Sequence, residues 1–149
     1  MPKAKLRAAT VGGTADAIEN QFYEALQTGD IEKLMGCWAD EDDIVCVHPG
    51  GPRLIGSASI RAAFEAMFAN GTIAARPEHI CKVESLTSAM HNVIECIAVM
   101  SNEGPQEAFV IATNVYQRTP QGWRMVAHHA SPGTSALKQG PTHAPQVLH

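Results

Sequence analysis

The sequence predicts an α+β domain in which helices come first and an antiparallel sheet follows. Three observations predict it. Apolar residues recur at helical spacing in three stretches before residue 70. From about residue 77 the texture changes to strand-like runs, roughly 78–87, 91–101, 107–118 and 123–131. The turn signals Glu103-Gly104-Pro105 and Thr119-Pro120-Gln121-Gly122 join the later runs as hairpins. Strands that follow one another without helices between them pair antiparallel, and the preceding helices pack on one face of the sheet.

The first helix is expected to start near Thr14, a good cap, with Asp16 and Glu19 in its first turns. Ile18, Phe22, Ala25 and Leu26 make its apolar face. Thr28-Gly29-Asp30 breaks it, and Asp30 caps a short second helix lined by Ile31, Leu34, Met35 and Trp38. The acidic turn 40–43 reads as a solvated loop, because it lacks the alternating ligands and central Gly of a calcium loop. A strand over 44–48, a Gly/Pro turn and a short strand over 53–55 follow. Ser57 or Ser59 then caps a third helix whose buried stripe is Ile60, Phe64, Met67 and Phe68. In the run after 91, both alternating rows of residues are largely apolar, which predicts a strand covered on both faces.

A chain of 149 residues, 45% hydrophobic, is expected to form one core over 14–132. It is flanked by a mobile arm (1–13) and a loose tail (133–149) that carries His143 and His149. The net charge of −4 with no basic stripe argues against nucleic acid as a partner. No apolar run reaches the roughly 18 residues of a membrane span, and no signal-type segment follows the N-terminal cations. A cytoplasmic location is the expectation. Cys37, Cys46, Cys81 and Cys96 have no metal-ligand spacing and are read as reduced.

His48 is the leading candidate for chemistry. It sits where an apolar strand meets the turn Pro49-Gly50-Gly51-Pro52, at the rim of a core. Two readings stand: a ring that only satisfies itself locally, or one that faces a pocket. Asn114 lies on an otherwise apolar row with Val110, Ala112 and Tyr116, either as a stitch in the sheet or as a ligand contact. Strand alternation puts Trp123, Met125, Ala127, His129 and Ser131 on one face of the last strand and Arg124, Val126, His128 and Ala130 on the other. Phe22, Trp38 and Phe64 are either core or apolar pocket walls. No GxSxG, HExxH, P-loop or GxGxxG motif occurs, so any catalysis is expected to be non-covalent acid–base work without a cofactor or metal.

The segments FYEALQTGDIEKLMGCWADEDDIVCVHPGGPRLIG, SIRAAFEAMFANG, ATNVYQRT and GWRMVAHHASP, in this order and spacing, resemble the SnoaL-like branch of the nuclear transport factor 2-like superfamily over about 14–132. The resemblance implies a cone-shaped fold, a curved antiparallel sheet wrapped around about three N-terminal helices. An apolar pocket lies inside, and homodimers form through the sheet. Ketosteroid isomerases share this fold. Comparison with them puts His48 at the general-base position, Phe22 at an oxyanion tyrosine with Tyr23 one residue off, and Ala112 at the second donor. The pocket row would hold Ala127, His129 and Ser131. Neither Phe22 nor Ala112 can donate a hydrogen bond, and losing one such donor costs about 10²–10³ in rate, so steroid isomerisation is not expected. Ala127 also stands where related sequences carry the first His of VHHHASP, which weakens any metal-binding cluster there.

Together these readings imply a pocket with His48 and His129 as catalytic groups, and Asn114, Trp38, Phe22, Phe64 and Ser131 as ligand contacts. The ligand would be a small apolar metabolite with a polar tip. The alternatives are non-catalytic binding, or self-assembly of the kind shown by the association domain of calcium/calmodulin-dependent kinase, which the W…H.H.S close also resembles.

Overall fold

The computed structural model describes residues 13–134. The expectations for the arm (1–13, Gly13 apart) and for most of the tail, including His143 and His149, lie outside the described residues. The elements are α1 (Ala15–Thr28), α2 (Ile31–Met35), β1 (Val45–Val47), β2 (Arg53–Ile55), α3 (Ser57–Phe68), β3 (Ala75–Glu84), β4 (Ser88–Ser101), β5 (Gly104–Thr119) and β6 (Gly122–Pro132).

Local chemistry accounts for the helix ends. The Thr14 side chain accepts from Ala17 N at 3.0 Å, and Asp30 accepts from Lys33 N at 3.0 Å. Each satisfies an amide that the first helical turn leaves free. Gly29 closes α1 in the left-handed region at φ 69°, which a residue with a Cβ adopts only under strain. The third helix departs from expectation. Its cap is Gly56, and no side chain caps it. Ser57 is already inside the helix, because the Gly56 amide is drawn to Ile44 O and sets the turn one residue earlier than a serine cap would.

The six strands form one curved sheet in the order β2-β1-β6-β5-β4-β3. Four pairings are antiparallel, while β1 runs parallel to β6. That parallel junction matters, because it lays the strand leading to His48 beside the strand carrying both late histidines: Cys46 pairs with His128 and Val47 with His129. Helix residues Ile18, Phe22, Leu26, Ile60 and Phe64 pack with inward sheet residues Val93, Ala112, Tyr116 and Met125 to make the core. In β4, Val93, Ile94, Glu95 and Cys96 are buried, but outward Met90 and Asn92 are only half-buried and the strand's end is exposed, so burial on both faces is confined to the middle of the strand.

One irregularity resets the last strand. Tyr116 pairs with Met125, but Val115 pairs with Ala127, so Val126 is an extra residue in the ladder. A bulge of this kind shifts the inside/outside alternation by one. Met125 points inward, and beyond the bulge His128 and Ala130 do so as well.

Candidate functional site

At the inner face of the sheet, His48, Glu95 and His128 converge on a hollow of about 70 Å³, walled by apolar residues that include Phe22, Phe64, Met67 and Val110. The volume holds a few waters or a molecule with few heavy atoms; pockets for drug-sized ligands run to about 300 Å³ and more. His48 is brought inward because it follows buried Cys46 at strand spacing, and the chain then turns at once: Gly51 N bonds His48 O, and Gly50 takes φ 71°. The half-buried His48 ring packs edge-on against Phe64 at 4.9 Å. Its Nε2 lies 3.7 Å from Cys46 Sγ, and its centroid is 6.3 Å from that of His128.

Behind the hollow runs a buried hydrogen-bonded chain with a single direction. His128 Nδ1 is 2.5 Å from Asn114 Oδ1. Asn114 Nδ2 donates to the Tyr23 hydroxyl at 3.0 Å, and Tyr23 donates to Glu95 Oε2 at 2.7 Å. The amide oxygen of Asn114 only accepts, so the His128 proton sits on Nδ1 and its Nε2 lone pair faces the hollow. Every donor points toward the Glu95 carboxylate. Burial raises the Glu95 carboxyl to about 7, although the Tyr23 hydrogen bond pulls it down. Burial lowers His128 to about 3, helped by the neighbouring His48 and His129 rings. Burial also lowers His48 and raises the Tyr23 hydroxyl well above its ordinary range. Near neutral pH the site therefore contains two neutral imidazoles, a neutral phenol and a carboxyl group close to half ionised, which is the condition a general base needs.

The residues expected from sequence divide sharply. Phe22 and Phe64 line the hollow with His48. Asn114 is buried one layer behind it, holding His128 and Tyr23. His129 and Ser131 are exposed on the other side of the sheet, because the Val126 bulge inverts the alternation from which they were read as inward. Trp38 is buried but lies outside the hollow. It bridges to Met125 and borders a wider, open cleft of about 420 Å³ with Asp40, Ser57 and Arg61. That cleft lacks a comparable set of buried, converging groups, and Arg61 there is already held by Glu32 and Glu65. Among the described residues, Trp38 Nε1 is a buried side-chain donor without a partner.

Sequence reasoning missed Glu95, His128 and Tyr23. For Glu95 a signal existed: a carboxylate within Val93-Ile94-Glu95-Cys96-Ile97, where both rows are apolar, cannot be solvated and must find a partner or a raised pKa. For His128 there was none, since strand alternation only set it opposite His129, and the comparison with ketosteroid isomerases chose the row of His129.

The SnoaL-like domain family matches residues 16–135. The chain belongs to the SnoaL-like family. Among solved structures, this SnoaL-like domain is similar to a protein from Thiobacillus denitrificans described as a candidate calcium/calmodulin-dependent protein kinase type II association domain. Identity is 33%, with 81% of this chain and 96% of the other covered and a TM-score of 0.73. It is also similar to a protein from Streptomyces avermitilis described as a candidate dehydratase of the NTF2-like family, at 28% identity, 85% and 99% coverage and TM-score 0.72. A cystatin-like-fold protein from Caulobacter vibrioides, at 17% identity, 88% and 94% coverage and TM-score 0.70, supports the fold alone. No curated protein matches the chain. The NTF2-like fold supports a small-molecule binding or catalytic domain. Among the described residues no helix is long and apolar enough to cross a membrane.

Proposed function

We propose that this SnoaL-like domain is a cofactor-independent acid–base enzyme acting on a small, largely apolar metabolite with one polar group, and that Glu95 is its base. The observation that carries this reading is the Tyr23–Glu95 hydrogen bond at the wall of the His48 hollow, with a carboxyl group raised to about 7. The Asn114–Tyr23 arm holds the carboxylate in place. The neutral His48 ring offers an N–H to the substrate's polar atom, and His128 presents only its Nε2 lone pair, because its N–H is held by Asn114. This set suits transfer of a proton next to a carbonyl to the Glu95 carboxylate, which then returns it to the departing β-hydroxyl, so that an enone and water result. The name given to the Streptomyces avermitilis relative makes water elimination the first reaction to try. The hollow's size favours short-chain substrates over polycyclic ones. The four free thiols fit a reducing compartment such as the cytoplasm.

The test uses short-chain β-hydroxy ketones in D₂O, followed by proton NMR for deuterium incorporation at the α-carbon and for enone formation. Wild-type protein is expected to catalyse exchange and Glu95→Gln to lose it while remaining folded. Equal rates in the two proteins would remove Glu95 from the role.

A second reading, self-association through the sheet, is favoured by the outer sheet face. There Ile94, Ile111 and Val115 lie on the side opposite Ala112 and Asn114, and they stand on the adjacent strands β4 and β5. The two readings are compatible, since the hollow opens on the inner face. Sedimentation should give a dimer that Ile111→Asp converts to monomer; a wild-type monomer would end this reading.

A further inference from the structure

A second buried polar cluster lies away from the hollow, where α1 crosses the ends of β3 and β4. Its centre is His91, fully buried on β4. His91 Nδ1 is 3.0 Å from Glu19 Oε2, a carboxylate that also accepts from the Tyr116 hydroxyl at 3.2 Å. Glu19 is itself buried. A carboxylate only accepts, so in the neutral ring the proton sits on Nδ1 and the Nε2 lone pair points the other way. That lone pair meets two more acceptors, Glu84 Oε2 at 3.5 Å and Asp16 Oδ1 at 3.8 Å. An ion held there would satisfy the Nε2 lone pair and both carboxylates at once. The cluster already draws one cation, Lys82, whose Nζ lies 2.8 Å from Asp16 Oδ1.

From this arrangement we infer that His91 Nε2, Asp16 and Glu84 form a binding site for a divalent transition-metal ion such as zinc, with Glu19 orienting the imidazole. Bonds of about 2.0–2.1 Å to nitrogen and oxygen in a tetrahedral site set neighbouring donors about 3.3 Å apart. The observed 3.5 and 3.8 Å need only small movements of the exposed Asp16 and Glu84 side chains. The pairing of a buried carboxylate with the far nitrogen of the ring is the arrangement that fixes the tautomer of metal-binding histidines. Donor atoms of Asp16, Glu19 and His91 lie within 4.8 Å of one another, which puts the Glu19 carboxylate at hand on the buried side of the site, while Glu84 reaches it from the β3 end. The two outer ligands are solvent-facing, so the ion can enter and keep a water in the remaining position. No spacing motif announces the site, because its ligands come from three elements: Asp16 from α1, Glu84 from β3 and His91 from β4.

The test is zinc titration of the full chain by calorimetry, with cobalt(II) absorption as the spectroscopic readout. It is done in a Cys81→Ser background so that the exposed thiol does not compete. The expected result is one ion per chain, a cobalt visible spectrum, and a change in the His91 ring ¹⁵N shifts. Asp16→Asn with Glu84→Gln, both surface changes, should weaken binding by at least about 10–100-fold, the range seen for supporting groups at metal sites. Lys82→Met should tighten it by removing the competing ammonium. Absence of stoichiometric binding, or binding undiminished in the Asp16→Asn/Glu84→Gln protein, would overturn the assignment.

Discussion

His128 Nε2 and Glu95 Oε2 face each other 4.0 Å apart at the wall of the hollow, too far for a hydrogen bond. Burial drives their proton affinities in opposite directions, Glu95 up to about 7 and His128 down to about 3. Over the acidic range between those values both groups are neutral in the folded protein. The pair is a neutral acid beside a neutral base, poised to exchange a proton with something placed between them.

The pair makes opposite contributions to stability as pH changes. Glu95 holds its proton more tightly when folded, so its contribution is full below about 4.5 and declines as pH rises to about 7. His128 has a depressed folded value, so stability falls as pH drops from 6.5 toward about 3. Between about 4.5 and 6.5 the two slopes oppose each other. Glu95→Gln is expected to unmask a stability that rises with pH in this window, and His128→Gln one that falls. Urea denaturation at intervals of pH would show it. At pH 8.5 Glu95→Gln should exceed wild type by up to about 3 kcal/mol, the equivalent of moving a carboxyl from 4.5 to about 7. Parallel pH profiles in all three proteins would contradict the assignment.

Tyr23 is the link whose removal leaves the most unsatisfied. Tyr23→Phe strips the hydroxyl that accepts from Asn114 and donates to Glu95. Leaving buried polar groups unpartnered costs about 1–3 kcal/mol each. The Tyr23 hydrogen bond also holds the Glu95 carboxyl down, so the Glu95 titration should move upward in the variant. Carboxyl ¹³C NMR would follow it directly, and an unchanged midpoint would mean the bond is absent in solution.

Diethyl pyrocarbonate should distinguish the adjacent histidines. His129 is exposed, whereas His128 is buried with Nδ1 engaged by Asn114. Peptide mapping of native protein should find the adduct on His129 and none on His128. The reverse pattern would mean that the Val126 bulge is misplaced.

Gly29 tests the fold at the helix turn. It holds φ 69°, and a Cβ there would lie 3.2 Å from Thr72 Cγ2. Gly29→Ala is expected to lose about 1 kcal/mol or more, since the backbone is strained and the neighbour crowded. Thermal denaturation would register this as a lower Tm.

The Val126 bulge shows where legibility stops. Helix faces, caps at Thr14 and Asp30 and the strand run after Gly71 all follow from local periodicity and turn chemistry, whereas for His48 local sequence left two readings and the family resemblance favoured the inward one. The first three depend on residues a few positions apart. Alternation counts faithfully along a strand until an extra residue enters, and nothing in Trp123-Arg124-Met125-Val126-Ala127 marks where one does. One step of error exchanged His129 for His128. The same holds for Trp38, whose apolar ring is equally at home in a pocket or in a core.

By itself the sequence determined the class, the order of elements and the polar residues available to a pocket, because hydrophobic period and capping act over one or two turns of chain. Only the tertiary structure decided which of those residues meet. Parallel pairing of β1 with β6 brings His48 to His128, and packing of α1 across the sheet brings Tyr23 to Glu95 and Glu19 to His91, each across 72 positions. The physical reason is that a buried carboxylate or imidazole acquires its proton affinity from its surroundings, and those surroundings exist only after the sheet has curved around the helices.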